Sequence, residues 1–495
     1  MSTEKLFPSI AAFLKNRAKL TTGSSGEQNS LKIENEKFPQ ELVAVAEQLK
    51  ALTSTWNPVE FVTASAASIT AEKAKVFDAY RAGEAYNPTF VYDQVNAVDI
   101  DLEQTRVVLS TLLSQVRSFK PQSEFERIAK VSLYYKVMDD LASVTLISGI
   151  QTKNERFIRT AMNTKYRPLD AETLEAAENA YDAAIEETAH PSKLEGTPLL
   201  TPEQRKLLDE SDTTDQDIKN AFDWLLEQYG ILKTDENPNG FSCVIDINTT
   251  SLDVRDKSRS PMTIFIPAGV TRSAMRLLQM CGHEIEAHAR QSMNGLNTFV
   301  GGGPLKVDDE VLYEGLARTI DGKFHERYLG EKDNSPVMLY VVAIARAEQG
   351  ANFAEIFKEQ VDRHLHVLFG IDRDTAIDYT SEHVQQKLPD AMNSAWMKTY
   401  RVMRGHTDTS NPEHYAFAKD AAYFRGILMH QQLESLGYGF INEAAIMQVD
   451  ALPLMGRVQF TEADVPYPYQ DLTQRYCFEV LLPMLEERQN KTTAQ

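Results

Sequence analysis

Two histidines five residues apart on one helix cannot serve a single ion unless that helix is deformed. This chain carries the spacing in Cys281-Gly282-His283-Glu284-Ile285-Glu286-Ala287-His288-Ala289-Arg290, an H-E-x-x-x-H pattern. At 3.6 residues per turn, positions four apart lie roughly 40° from each other, whereas positions five apart lie about 140° apart. One residue absorbed in a π-type bulge returns both imidazoles to a shared face, and such bulges concentrate at functional sites. The spacing therefore predicts a widened helix around Ile285 to Ala287. Two neutral imidazoles are good zinc ligands, and an acid beside the first, Glu284, can polarise water at the metal.

The surroundings supply a sheet and a third ligand. Asn237-Pro238-Asn239-Gly240 is a turn signal, Phe241 to Ile247 alternates with a partial period of two, and Thr263-Ile264-Phe265-Ile266 is a second β-rich run closed by Pro267. Thr271 or Ser273 offers an N-cap for the helix that opens near Arg272. The expected fold class is α+β, predominantly helical, with a small sheet just ahead of the H-E-x-x-x-H helix. Downstream, Asp309-Glu310-Val311-Leu312-Tyr313-Glu314-Gly315-Leu316-Ala317-Arg318 offers Glu314 as a third ligand, which would leave a fourth zinc position for water. Gly315 and Ala317 are small enough to let this second helix approach the first. Glu310, one turn earlier, competes for the role, and an exposed Glu314–Arg318 pair is the plain alternative.

Composition narrows the partners. Acids outnumber bases 71 to 51, giving 51 − 71 = −20, and such a surface repels phosphate backbones and anionic lipid heads. Neither nucleic acid nor membrane is expected as a partner, and the longest uninterrupted apolar run, Val337 to Ala345, is too short for a bilayer. Cys243, Cys281 and Cys477 lie far apart without C-x-x-C spacing, as expected of buried free thiols in a reducing, cytoplasmic setting. Residues 1–30 read as a loose arm and Gly/Ser-rich linker, 31–235 as a helical region and 236–490 as the catalytic region. Helical periodicity covers Ile100 to Phe119, Phe125 to Ile150 and about Asp217 to Tyr229. Asp170 to His190 holds seven acids with no Lys or Arg and reads as a solvated helix face rather than an acidic docking surface.

With both metal motifs in view, the chain resembles the tyrosine carboxypeptidase family of zinc peptidases. That family includes the microtubule-associated enzymes that remove the C-terminal tyrosine of α-tubulin, and its bacterial relatives are named for a Q-E-G-L-A motif. The match pairs His283 to His288 with Glu314-Gly315-Leu316-Ala317, although Tyr313 stands where the bacterial motif begins with Gln. Three further segments are similar: Tyr86-Asn87-Pro88-Thr89-Phe90-Val91-Tyr92, Arg401-Val402-Met403-Arg404-Gly405 and Lys419-Asp420-Ala421-Ala422-Tyr423-Phe424-Arg425-Gly426. The similarity covers roughly residues 75 to 480.

The resemblance implies a zincin (gluzincin-like) metallopeptidase fold holding one zinc ion on His283, His288 and Glu314. It makes Glu284 the general base that takes a proton from the attacking water and passes it to the leaving amine. Tyr423, then Tyr415, are the candidate oxyanion donors. Capture of a terminal carboxylate falls to Arg404 and Arg425, helped by Lys419 or Arg401, because a guanidinium donates two parallel hydrogen bonds. The implied activity is removal of the C-terminal residue, tyrosine or another aromatic, from peptides or proteins. A dipeptidyl-peptidase-like zinc exopeptidase is the second enzyme reading, but its E-E-C-R-A-E type segment is absent. A regulatory protein with a structural zinc is the third. Gly301-Gly302-Gly303-Pro304 reads as a connecting turn or cleft rim, His364 and His366 as a weak metal pair on a strand, and His325, His406 and His414 as minor donors.

Overall fold

The computed structural model describes residues 39–53, 64–91, 101–122, 124–152, parts of 154–161, 169–192, 197–247, 252–255, 262–297, 310–333, 336–411, 416–439 and 465–493. The N-terminal arm and linker, the glycine run at 301–304, His414 and Tyr415 lie outside them.

The first part of the chain is helical, as its periodicity requires: α1 (Gln40–Thr53), α2 (Ala66–Arg81), α3 (Leu102–Ser118), α4 (Glu124–Thr152) and α5 (Ala171–Ala189). α1, α3 and α4 close a core of their own around Leu42, Leu109, Leu133 and Val144. α5 behaves differently from a solvated face. Its stripe of Ala177, Tyr181 and Ile185 is buried against later helices, and four of its acidic residues, counting the N-cap Asp170, hold bases from far along the chain. Asp170 meets Arg425 at 2.7 Å, Glu178 meets Arg363 at 3.0 Å and Arg373 at 2.7 Å, Asp182 meets Arg373 at 3.0 Å, and Glu187 meets Lys332 at 2.8 Å.

Next, α6 (Pro202–Glu210) opens with a Thr201–Gln204 capping box, strand β1 (Asp212–Thr214) follows, and α7 (Asp215–Gln228) opens with a Thr214–Asp217 box. Strands β2 (Ser242–Asp246), β3 (Asp253–Arg255), β4 (Thr263–Pro267) and β5 (Thr271–Ser273) complete the β structure. β4 is central, parallel to β2 and antiparallel to β3, while β5 pairs antiparallel with β1. The two expected strands form, and β1, β3 and β5 are additions of three residues each. α8 (Ala274–Met280), a π-helical segment (Cys281–Ala289) and α9 (Arg290–Asn297) then run as one rod.

The rest is helical: α10 (Glu310–Phe324) with a π-helical end at His325–Leu329, then α11 (Met338–Glu348), α12 (Phe353–Phe369), α13 (Glu382–Val402) and α14 (Ala421–Ser435). After α15 (Leu472–Tyr476) and a π-helical link, Cys477–Leu481, α16 (Leu482–Thr493) ends the described chain. Two large cores organise these elements, and both take residues from either side of position 235. One joins α2 and α5 to α11–α14; the other joins α7, β4 and the π-helical segment to the C-terminal helices. α10 runs along the seam. The segment 86–91 is tied into the first core: Phe90 donates its N–H to the Thr407 carbonyl (2.9 Å), Thr409 Oγ1 donates to the Pro88 carbonyl (2.8 Å), and Asn87 Oδ1 accepts from Ala354 N–H (2.9 Å). No helix among the described residues is long and apolar enough to cross a membrane.

Candidate metal centre

The centre grows out of the short ribbon at β5. Ser273 Oγ accepts the Arg276 N–H at 3.2 Å and starts α8. Seven residues later the helix widens, and the π-helical geometry spans Cys281–Ala289, more than the three residues the spacing predicts. Bonds one residue longer than in an α-helix put side chains five apart on one face, so His283 and His288 both face α10.

A side chain that the sequence reading left unassigned braces the widened turn. Glu286 is fully buried and accepts from Tyr229 Oη (3.1 Å), Leu472 N–H (2.5 Å) and Thr473 Oγ1 (2.7 Å). Burial pushes its carboxyl up to about 7, against the pull of those donors and of Arg290. Arg290, also fully buried, donates Nε to the Glu286 carbonyl at 2.6 Å and reaches the Tyr467 carbonyl at 3.2 Å. The strap around 467–473 thus holds the back of the motif helix while its front stays open to the ligands.

Glu314 arrives on α10, which is squeezed from two sides. Toward the motif helix, Ala317 and Ile320 pack with Ala287. A Cβ on Gly282 would stand 3.1 Å from Ile320 Cγ2. Gly315 faces the other way: a Cβ there would lie 2.6 Å from the Gly426 backbone on α14, and one on Gly426 would strike the Val311 carbonyl oxygen. The close approach expected of Gly315 is therefore made to α14, because the motif helix needs only alanine-sized contact. This crossing brings the Glu314-Gly315-Leu316-Ala317 and Lys419 to Gly426 segments together.

The donor atoms of His283, His288 and Glu314 all lie within 4.8 Å of one another. His288 Nε2 is 3.8 Å from Glu314 Oε2, and the two imidazoles stand nearly perpendicular with centroids 4.9 Å apart. Ligand atoms around a tetrahedral zinc ion sit roughly 3.4 Å from each other, somewhat closer than the 4.8 Å limit seen here. Among the described residues this is the only cluster of such side chains that could hold a metal ion, and the side chain of Glu310 lies outside that description. Two imidazole nitrogens and one carboxylate oxygen are donor types that could hold a metal ion.

The two histidines are supported differently. His283 Nδ1 lies 3.1 Å from Asp321 Oδ2, leaving Nε2 for the ion. Arg318 in turn donates to Asp321 (2.7 Å) and to Asp333 (2.9 Å). Arg318 thus serves Asp321 and Asp333. Desolvation opposes a proton on His283, but Asp321, with Glu284 and Glu314, overrides it and raises the pKa to about 9. His288 is buried and its basicity is pushed well down, chiefly by desolvation and further by His283 and Lys419. Asp321 escaped the sequence reading; its only signal is its place two turns after Glu314 on the same helix face.

Glu284 is half-buried beside His283 and acts on its charge. Burial and Glu314 raise the Tyr423 pKa above its ordinary value, so the hydroxyl keeps its proton. Arg401 lies 5.9 Å from the Tyr423 ring, meets Asp420 at 2.9 Å and hydrogen-bonds Tyr340 Oη at 3.4 Å. Lys419 is near enough to affect His288. Arg404 stacks over Tyr400 and Phe417. Arg425 is engaged at Asp170 (2.7 Å) and Thr173 Oγ1 (3.4 Å). His364 and His366 lie on α12 rather than on a strand, where positions two apart diverge; burial lowers His364 to about 4. His325 contacts Gln279 at 3.3 Å, His406 is buried, and the three cysteines are free and buried. No protein-family model matches the chain, and no curated protein matches it in sequence.

Proposed function

We propose that the protein is a zinc-dependent carboxypeptidase that removes the C-terminal residue, tyrosine or another aromatic, from peptides or proteins. The observation that carries this reading is the convergence of His283, His288 and Glu314 with an acid, Glu284, next to the first ligand. A purely structural ion needs no such acid, whereas hydrolysis does. The family resemblance of the paired motifs supports the same reading, as do the buried thiols for a reducing, cytoplasmic setting.

Zinc bound at this centre would acidify a water molecule and polarise the scissile carbonyl. Glu284 takes the proton from the attacking water and delivers it to the amine as the C–N bond breaks. The protonated Tyr423 hydroxyl, close to Glu314, donates to the oxygen on which negative charge develops. Lys419, Arg401 and Arg404 supply positive charge for the terminal carboxylate. Arg425, held by Asp170, steadies the start of α14, which directly follows the Lys419 turn.

Glu284→Gln in zinc-loaded protein, assayed against a library of peptides with varied C-termini, tests this reading. Zinc content should persist while cleavage falls by about 10²-fold or more. Unchanged turnover removes Glu284 from the mechanism, and a wild type that cleaves nothing in the library favours a structural metal.

A further inference from the structure

The two histidine ligands have unequal support. The second ring nitrogen of a metal-binding histidine ordinarily donates to a carboxylate, carbonyl or water, which fixes the ring. His283 has that device in Asp321, 3.1 Å from Nδ1. His288 shows no such partner among the described residues: Nε2 faces Glu314, and the buried Nδ1 has no hydrogen-bond partner there. Its ring instead lies flat against Tyr313, with centroids 3.9 Å apart and planes 12° from parallel.

We infer that Tyr313 is a positioning residue for His288, its ring replacing the missing hydrogen bond by stacking. This rests on the reading of His288 as a metal ligand. The geometry explains how one helix does two jobs: α10 presents Glu314 as a donor, and the residue before it clamps the ring of another donor. Parallel aromatic faces at this separation fix the plane of the imidazole by contact. Rotation about the Cβ–Cγ bond of His288 would swing Nε2 off the ion, and Tyr313 blocks that rotation. The ring, not the hydroxyl, is the working part.

Full-length Tyr313→Leu and Tyr313→Phe, compared with wild type, separate these roles. Zinc affinity is read by competition with a chromophoric chelator. The apo-state histidine ring signals are read by NMR on protein carrying ¹³C-labelled histidine. Tyr313→Leu should bind zinc about 10-fold more weakly, at the lower end of losses seen when outer partners of a metal site are removed. Its His288 ring signals should lose their ring-current displacement. Tyr313→Phe should restore both, to within about twofold of wild-type affinity. Equal affinity in Tyr313→Leu and wild type overturns the inference, and so does a Tyr313→Phe loss as large as that of Tyr313→Leu. Absence of zinc binding in the wild type overturns the metal centre itself, and the inference with it.

Discussion

Helix α5 and the π-helical segment Cys281–Ala289 both point ionisable side chains at neighbouring helices, yet they neutralise them in opposite ways. On α5 the acids meet fixed bases: Glu178 takes both arms of Arg363 at 3.0 Å each, while Arg373 bridges Glu178 and Asp182. Arg363 and Arg373 also lie over the Tyr181 ring. At the motif helix His283 and His288 face Glu314, and the bases bonded nearby are spent on other work. Arg290 caps the Glu286 carbonyl, and Arg318 holds Asp321. Residue types alone do not separate a structural charge cluster from a candidate metal site; the destination of the counter-charges does.

The comparison breaks most violently at the α10–α14 crossing. Gly426→Ala should destabilise the fold by on the order of 3 kcal/mol, since the new methyl meets backbone that cannot move aside. Urea unfolding midpoints measure this. Gly322→Ala on α10 meets nothing within 4 Å and should instead gain about 0.5–1 kcal/mol from helix propensity.

On the metal side, Asp321→Asn keeps a hydrogen-bonding shape but loses the charge opposite His283. Zinc affinity of the folded variant should fall about 10- to 100-fold; retained affinity would show that His283 needs no anchoring.

On the ion-pair side, Glu178→Gln should cost about 1 kcal/mol at neutral pH, because the cluster is only partly shielded from solvent. Although burial works against it, Arg363 and Arg373 lower the Glu178 pKa below its ordinary 4.5. A lowered folded-state pKa means stability that is complete above the ordinary range and lost as pH falls through the folded value. The gap between wild type and Glu178→Gln should thus be constant from neutrality to about pH 5 and close below it. A gap that widens in acid would reverse the assignment.

Features written in residue spacing are legible in the sequence. The five-residue step from His283 to His288 demands a widened helix, and the structure has one. Long periodic segments such as α3 and α4 were legible within a few residues, and so were strands β2 and β4. β1, β3 and β5 were missed because three residues are too few to show alternation. Contacts between distant segments left no trace in either partner alone: Arg425 gave no sign of Asp170, nor His288 of Tyr313. The acidic stretch on α5 was read as solvated because its bases lie more than a hundred residues downstream.

Zinc bound per chain, measured by equilibrium dialysis and atomic emission on wild type and on folded Glu314→Gln, tests the central claim most directly. The account requires one ion per wild-type chain and close to none in the variant at the same free zinc. No ion in the wild type, or equal occupancy in both proteins, would contradict it.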